Sequence, residues 1–208
     1  MGDDDRRSAD LDRWEQRFAG EEYAFGEAPN RFLKGSRALL PPTGRALAVA
    51  DGEGRNGVWL AEQGLEVTTF DLSPRGVTKA RALAERRGVD IDARVADIHD
   101  HPWPEGAYDV VAAIFFQFVR PDRRGEVFAG IARTLRPGGL LLLEGYRPEQ
   151  IAYGTGGPPH AENMYTRELL EAAFGHFAEL EIREYDEVLT EGPSHHGMSA
   201  LIDLVARK

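Results

Sequence analysis

Arg45-Ala46-Leu47-Ala48-Val49-Ala50-Asp51-Gly52-Glu53-Gly54-Arg55-Asn56-Gly57 is the stretch on which the fold turns. Its opening residues, Arg45–Ala50, are a short apolar run of the length of a buried strand. Gly52, Gly54 and Gly57 then fit the spacing G-x-G-x-x-G. Glycine is needed where the backbone bends tightly and a ligand must approach without a Cβ in the way. Gly57–Gln63 reads as a helix closed by Gly64, and its first N–H groups are free to meet polar ligand atoms. A second strand, Glu66–Phe70, leads to Asp71, nineteen residues after Gly52. An acid there accepts hydrogen bonds from both hydroxyls of a ribose. Strand, glycine turn, helix and acid in this order predict a ligand containing a nucleoside.

The alternation continues outward. Ser73 is an N-cap and Pro74 the first residue of a helix running to about Arg87, closed by Gly88. Ile91–Ala96 is a third strand and Tyr108–Phe115 a fourth, the most apolar. A helix from about Asp122 to Leu135 stops at Pro137-Gly138-Gly139, and Leu140–Glu144 is the fifth strand. Tyr146 to Asn163 is rich in Gly and Pro without a period, so a long loop is expected, and loops of that length are usually functional. Thr166 caps a helix to about Phe174. Leu180–Leu189 and Ala200–Arg207 are two final strands joined through a Gly-Pro-Ser-His-His-Gly turn, which favours an antiparallel hairpin. The fold class is α/β: a doubly wound, seven-stranded, mostly parallel, Rossmann-like sheet with a C-terminal antiparallel hairpin. Residues 1–12 read as a disordered tail, 13–40 as a helical lid segment and 41–208 as the domain proper.

Composition narrows the partners. The chain has 208 residues, 42% apolar and 29% charged, and carries a net charge of −10 with no cysteine. The acidic balance is wrong for gripping a phosphate backbone, so nucleic acid is not expected as a partner. No apolar run approaches the ~20 residues of a membrane span, and the polar N-terminus is not a secretory segment, so a cytoplasmic protein without a membrane partner is expected. Without cysteine there is no disulfide, thiolate metal site or cysteine nucleophile.

The third strand ends in Ala96-Asp97-Ile98, placed to accept from an adenine amino group, and Leu135-Arg136-Pro137-Gly138-Gly139 precedes the fifth. With the glycine turn, Asp71 and the closing hairpin, these make residues 40–208 resemble a class I S-adenosylmethionine-dependent methyltransferase. Gly-Glu-Gly-Arg-Asn followed by Val-Trp-Leu-Ala, and the N-terminal Tyr23-Ala24-Phe25-Gly26…Pro29-Asn30, resemble the tellurite-resistance and thiopurine-methylating groups. The resemblance implies S-adenosylmethionine as cofactor and methyl transfer to a small-molecule acceptor. It implies that Gly52 and Gly54 line the cofactor, that Asp71 with neighbouring Leu72 holds its ribose, and that Asp97 and Ile98 frame its adenine. The family usually has an acid where Ala48 stands and a glycine where Ala50 stands. Asp51 or a nearby backbone carbonyl is therefore expected to take part of the contact to the methionine ammonium, and Asn56 is a further candidate for cofactor binding.

Ligands of open α/β sheets bind at the carboxyl ends of the strands. Phe115-Phe116-Gln117 and Glu144-Gly145-Tyr146 are then expected near the transferred methyl group, with Trp14, Tyr23 and Phe25 as a roof. His195 and His196 are the candidate bases, and Tyr146 and Tyr153 are candidate orienting hydroxyls. No fixed spacing makes a metal site of His160, Glu162, His195 and His196. An oxidoreductase using NAD(P), on the literal glycine fingerprint, and a non-catalytic cofactor-binding module remain the alternatives. A monomer or homodimer is expected.

Overall fold

The computed structural model describes residues 3–208. Helix α1 is Asp3–Arg17, α2 is Arg31–Gly35, and strand β1 is Arg45–Ala48. There follow α3 (Arg55–Glu62), β2 (Glu66–Asp71), α4 (Pro74–Arg87), β3 (Ile91–Val95) and β4 (Tyr108–Ile114). The chain ends with α5 (Pro121–Thr134), β5 (Leu135–Tyr146), α6 (Gln150–Tyr153), α7 (Arg167–Phe174), β6 (Glu179–Glu191) and β7 (His195–Arg207).

The seven strands lie in the order β3-β2-β1-β4-β5-β7-β6, as the alternation of the sequence predicts. β1, β2, β3, β4 and β5 pair in parallel, whereas β7 is antiparallel to both β5 and β6. All seven residues of β4 are buried, because helices cover both faces of the sheet. On one face Val111, Ala113, Leu141 and Leu143 meet Val127, Phe128 and Ile131 of α5 and Leu170 and Phe174 of α7. On the other, Val110, Ala112 and Leu142 meet Leu33, Trp59 and Leu60, so Trp59 belongs to the core. The strand order reverses between β1 and β4, which opens a crevice at their carboxyl ends. No described helix is long and apolar enough to cross a membrane.

Three expectations are corrected. Of the tail expected to be disordered, residues 1–2 lie outside the described residues and the rest belongs to α1. Its polar composition hides one anchored face. Trp14 stacks on Phe18 at 5.6 Å, Glu15 accepts from Arg75 N–H at 2.9 Å, and Arg7 reaches Asp97 at 3.2 Å. The loop from Tyr146 to Asn163 contains α6 and a short 3-10 turn at Ala161–Asn163. One helical turn has no readable period, and this one is pinned by tertiary contact: buried Gln150 accepts from Ala200 N–H at 2.9 Å and donates to Thr155 Oγ1 at 3.0 Å. The β6–β7 turn shrinks to Gly192-Pro193-Ser194, because cross-strand pairing carries on to Glu191↔His195. His195 and His196 are therefore strand residues, not loop residues.

Candidate active site

Two adjoining cavities occupy the carboxyl end of the sheet. The larger, about 520 Å³, is lined among others by Asp51, Asn56, Phe115, Tyr146 and His195. The smaller, about 390 Å³, is lined by Leu72, Asp97 and Ile98. Trp14, Ala50 and Asp71 stand in the wall that both share.

The strand ends are strained where they meet the larger cavity. Ala50, just after β1, has φ 48°, and Phe115, just after β4, has φ 53°. A side-chain-bearing residue in the left-handed region costs roughly 1–2 kcal/mol and persists only where its surroundings fix it. Here the fixing is by backbone: Phe115 N–H donates to Glu144 at 2.8 Å, and the two neighbours of Ala50, Val49 and Asp51, donate to Ala112 at 2.9 Å and Phe70 at 3.1 Å. Ala50 thus holds the conformation that a glycine would adopt without strain. Ala48 is buried at the end of β1 and absent from the cavity lining, so an acid two residues before Ala50 is not replaced in place.

Asp71 ends β2. Its Oδ2 accepts from Gly52 N–H and its Oδ1 from Ser73 N–H, both at 2.9 Å. Burial raises its carboxyl to about 6 against the pull of those two donors, and the charge of Glu53 adds to the rise. Asp51 Oδ2 accepts from Gly57 N–H, in the first turn of α3, at 2.7 Å. Burial raises that group to about 7, although Gly57 and Arg55 oppose the shift. Two carboxylates with raised pKa in one cavity wall form an environment that a cation would relieve.

At the other end of the larger cavity the wall is aromatic. The ring of His195 lies 4.6 Å from both Phe25 and Phe115, and Phe115 lies 4.7 Å from Tyr146. His195 Nδ1 stands 3.8 Å from Glu191 Oε2, too far for a hydrogen bond but close enough for charge to act. Burial holds the imidazole below its ordinary value, and Glu191 offsets part of that shift. Burial would also raise Glu191, but His195, the Arg55 guanidinium at 2.8 Å and the Arg31 N–H outweigh it and hold it at about 2. The Tyr146 hydroxyl is buried without a partner among the described residues. Burial, then the carboxyls of Glu144 and Glu191, raise its phenol well above the ordinary range, so it stays protonated.

Several predicted residues take other roles. Gly54 caps α3 at φ 88°, where an added Cβ would come within 2.5 Å of Ala80 Cβ; it lets α3 approach α4 and does not line the cavities. The Tyr23 hydroxyl donates to Lys79 O at 3.0 Å, on α4 and outside both cavities. His196 is exposed, because period-2 alternation along β7 turns it away from His195. Tyr153 is exposed and donates to Asp186 at 2.9 Å. Glu144 lies behind the cavity, where burial and the facing Asp203 raise its carboxyl, with Asn30 donating to it. Gln117 lines the cavity, but its amide is spent on the backbone of Tyr146: Tyr146 N–H donates to Oε1 at 2.6 Å and Nε2 donates to Tyr146 O at 2.7 Å. It positions Tyr146. Sequence reading did not single out Arg55, Glu191, Arg17 or Phe118. Glu191 is brought to His195 by strand pairing alone, and no spacing motif announces it.

Known proteins match this arrangement. A family model described as a methyltransferase domain matches residues 46–139. The chain is thus similar to methyltransferase domains over these residues. This bears out the resemblance read from the glycine turn, Asp71 and the closing hairpin, and it leaves the oxidoreductase reading without support. A demethylmenaquinone methyltransferase of Thermus thermophilus is 35% identical over 120 residues, covering 56% of this chain and 54% of that protein. The chain spans between half and three fifths of the length of the first curated relatives it matches. Among solved structures, TehB of Haemophilus influenzae superposes with a TM-score of 0.67 at 17% identity, over 95% of this chain and 66% of that one. A 1,6-didemethyltoxoflavin-N1-methyltransferase of Burkholderia thailandensis, bound to its substrate and S-adenosylhomocysteine, superposes with a TM-score of 0.65 at 21% identity, over 97% and 87%. At those identities the likeness is one of fold. The residues matched by the family model span β1 to β4 and the start of β5.

Proposed function

We propose that the chain transfers a methyl group from S-adenosylmethionine to a small-molecule acceptor. The observation that carries this reading is Asp71, a buried carboxylate held by the glycine-turn N–H in the wall common to two adjoining cavities. The fit is chemical as well as spatial. Asp71 would take the ribose hydroxyls, Asp97 and Ile98 the adenine, and Asp51 the ammonium end, which relieves the raised pKa of both aspartates. The two small-molecule methyltransferases named above support the acceptor class.

S-adenosylmethionine, when bound, supplies a methyl group on a cationic sulfur. The chain's residues hold the acceptor in line with that group, which contributes several kcal/mol through proximity. Trp14 from α1 and Gly156–His160 of the loop after β5 cover the larger cavity as a lid and exclude water. His195, neutral at pH 7 because it is buried, takes the acceptor proton where the acceptor arrives protonated. Tyr146 donates a hydrogen bond to the acceptor.

Calorimetry with S-adenosylhomocysteine tests the cofactor, and mass spectrometry of an acceptor panel incubated with S-adenosylmethionine tests the reaction. Binding is expected, with affinity falling about 30-fold or more in Asp71→Asn, because hydrogen bonds to a charged acceptor contribute about 1.5–3 kcal/mol each. No heat with the wild type, or equal affinity in the variant, overturns the reading. Binding without turnover of any acceptor returns the non-catalytic module.

A further inference from the structure

The acceptor end of the larger cavity has a chemical signature of its own. Three of its walls are rings: Phe25, Phe115 and Tyr146 surround His195. Two of its polar groups are a buried hydroxyl without a partner among the described residues, on Tyr146, and an imidazole backed by the anionic Glu191. Four arginines line the larger cavity. Arg13 pairs with Asp10 at 3.1 Å, Arg120 with Asp122 at 3.1 Å, and Arg55 with Glu191 at 2.8 Å. Arg17 lines the same cavity from the end of α1, lies over the Phe25 ring at 6.0 Å, and has no ion pair among the described residues.

We propose that the acceptor is an aromatic hydroxy acid, with its ring against the Phe25–Phe115–Tyr146 wall, its hydroxyl at His195 and its carboxylate at Arg17. The inference rests on the methyltransferase reading and names the substrate class of that site. A ring prefers the faces and edges of other rings over aliphatic packing, and a guanidinium pairs with a planar carboxylate through parallel hydrogen bonds. A neutral aromatic would leave Arg17 idle, and an aliphatic acid would leave the ring wall unused. With Glu191 facing Nδ1, the tautomer protonated there leaves Nε2 free to accept. The acceptor O–H bond breaks and its proton goes to Nε2. The new O–CH₃ bond forms from an oxygen lone pair as the C–S bond breaks, and that bonding pair remains on sulfur. The imidazolium then returns its proton to water. Arg17 is also close enough for its charge to lower the His195 pKa, alongside Arg55, so a carboxylate at Arg17 raises the basicity of the ring that takes the proton.

The test pairs 2-, 3- and 4-hydroxybenzoates with the matching hydroxybenzamides, titrated by calorimetry into the full chain saturated with S-adenosylhomocysteine. Methyl transfer to the same compounds is measured in parallel. At least one hydroxybenzoate is expected to bind about tenfold or more tightly than its amide, the equivalent of one well-formed charged contact. In Arg17→Gln, an exposed position whose fold is checked by circular dichroism, that ratio falls to near one. Methylation is expected on the phenolic oxygen. Amides binding as well as acids, a preference that survives in R17Q, or methyl esters as the product would each overturn the proposal. If S-adenosylhomocysteine binds and these results follow, the substrate class alone fails. If it does not bind, the methyltransferase reading falls and this inference with it.

Discussion

Two of the three side-chain-bearing residues with positive φ, Ala50 and Phe115, sit at the strand ends on either side of the crevice where the strand order reverses. Ala50→Gly relieves left-handed strain of roughly 1–2 kcal/mol while adding the 0.5–1 kcal/mol entropic cost of glycine, so denaturant unfolding should place it near the wild type. Ala48→Gly, in regular β conformation, gains no such relief and should unfold about 1 kcal/mol more easily than Ala50→Gly; equal stabilities would remove the strain argument. Asp51 and Asp71 line the same cavity. With Asp51 raised to about 7 and Asp71 to about 6, both are partly protonated at pH 6 before a ligand arrives. A cationic ligand stabilises their charged forms, so S-adenosylmethionine binding at pH 6 should release about one proton. Calorimetry in buffers of different ionisation enthalpy measures that number, and Asp51→Asn should reduce it. His195→Gln should lower kcat about 100-fold or more for a hydroxyl acceptor, with a smaller effect on S-adenosylhomocysteine affinity. A kcat within threefold of the wild type would remove His195 as base.

At the scale of elements, α1 and the β6–β7 hairpin meet over the same cavity. α1 contributes Trp14 and Arg17, and the hairpin contributes His195. Trp14 packs on Phe18 at 5.6 Å and edge-on to Phe118 at 5.8 Å. Trp14→Ala removes a large apolar roof worth about 2 kcal/mol of burial, so cofactor affinity should fall roughly 30-fold while the far-ultraviolet circular dichroism of the sheet stays unchanged. α3 and α4 approach so closely at Gly54 that an added methyl has nowhere to go: the nearest backbone atom, Ala80 Cα, is 2.7 Å away. Gly54→Ala should therefore destabilise the fold by about 2–4 kcal/mol, read as a lowered denaturation midpoint. A variant of wild-type stability with weakened cofactor binding would return Gly54 to the binding site.

Across the whole molecule, buried ionisable groups at the carboxyl end of the sheet pull stability in opposite directions. Asp51 and Asp71 have folded pKa values above the unfolded value, so the stability they favour is present at low pH and lost as pH rises through about 6 to 7. Glu191, held at about 2, contributes stability that is present above its unfolded pKa and lost as pH falls through its folded one. Unliganded protein should therefore lose thermal stability between about pH 5 and 7 unless a cationic ligand is present, and S-adenosylmethionine should restore it by mass action. A melting temperature that is flat across that window with and without ligand would contradict the electrostatic picture.

Sequence alone was enough to assign the strand–helix alternation, the caps at Ser73 and Thr166, the acid Asp71 at the end of β2 and the antiparallel closure. Each of these is written in local chemistry: a run of apolar residues, a hydroxyl before a helix, a glycine at a bend. Tertiary structure decided what no local pattern carries. It ordered the polar start of the chain as α1, separated His195 from His196 by the alternation of one strand, and set Glu191 beside His195 through register. It also set Gly54 against Ala80 of α4. The physical reason is the same in each case: burial, charge pairing and close approach are properties of pairs of residues, and the members of these pairs meet only when distant segments fold onto one another.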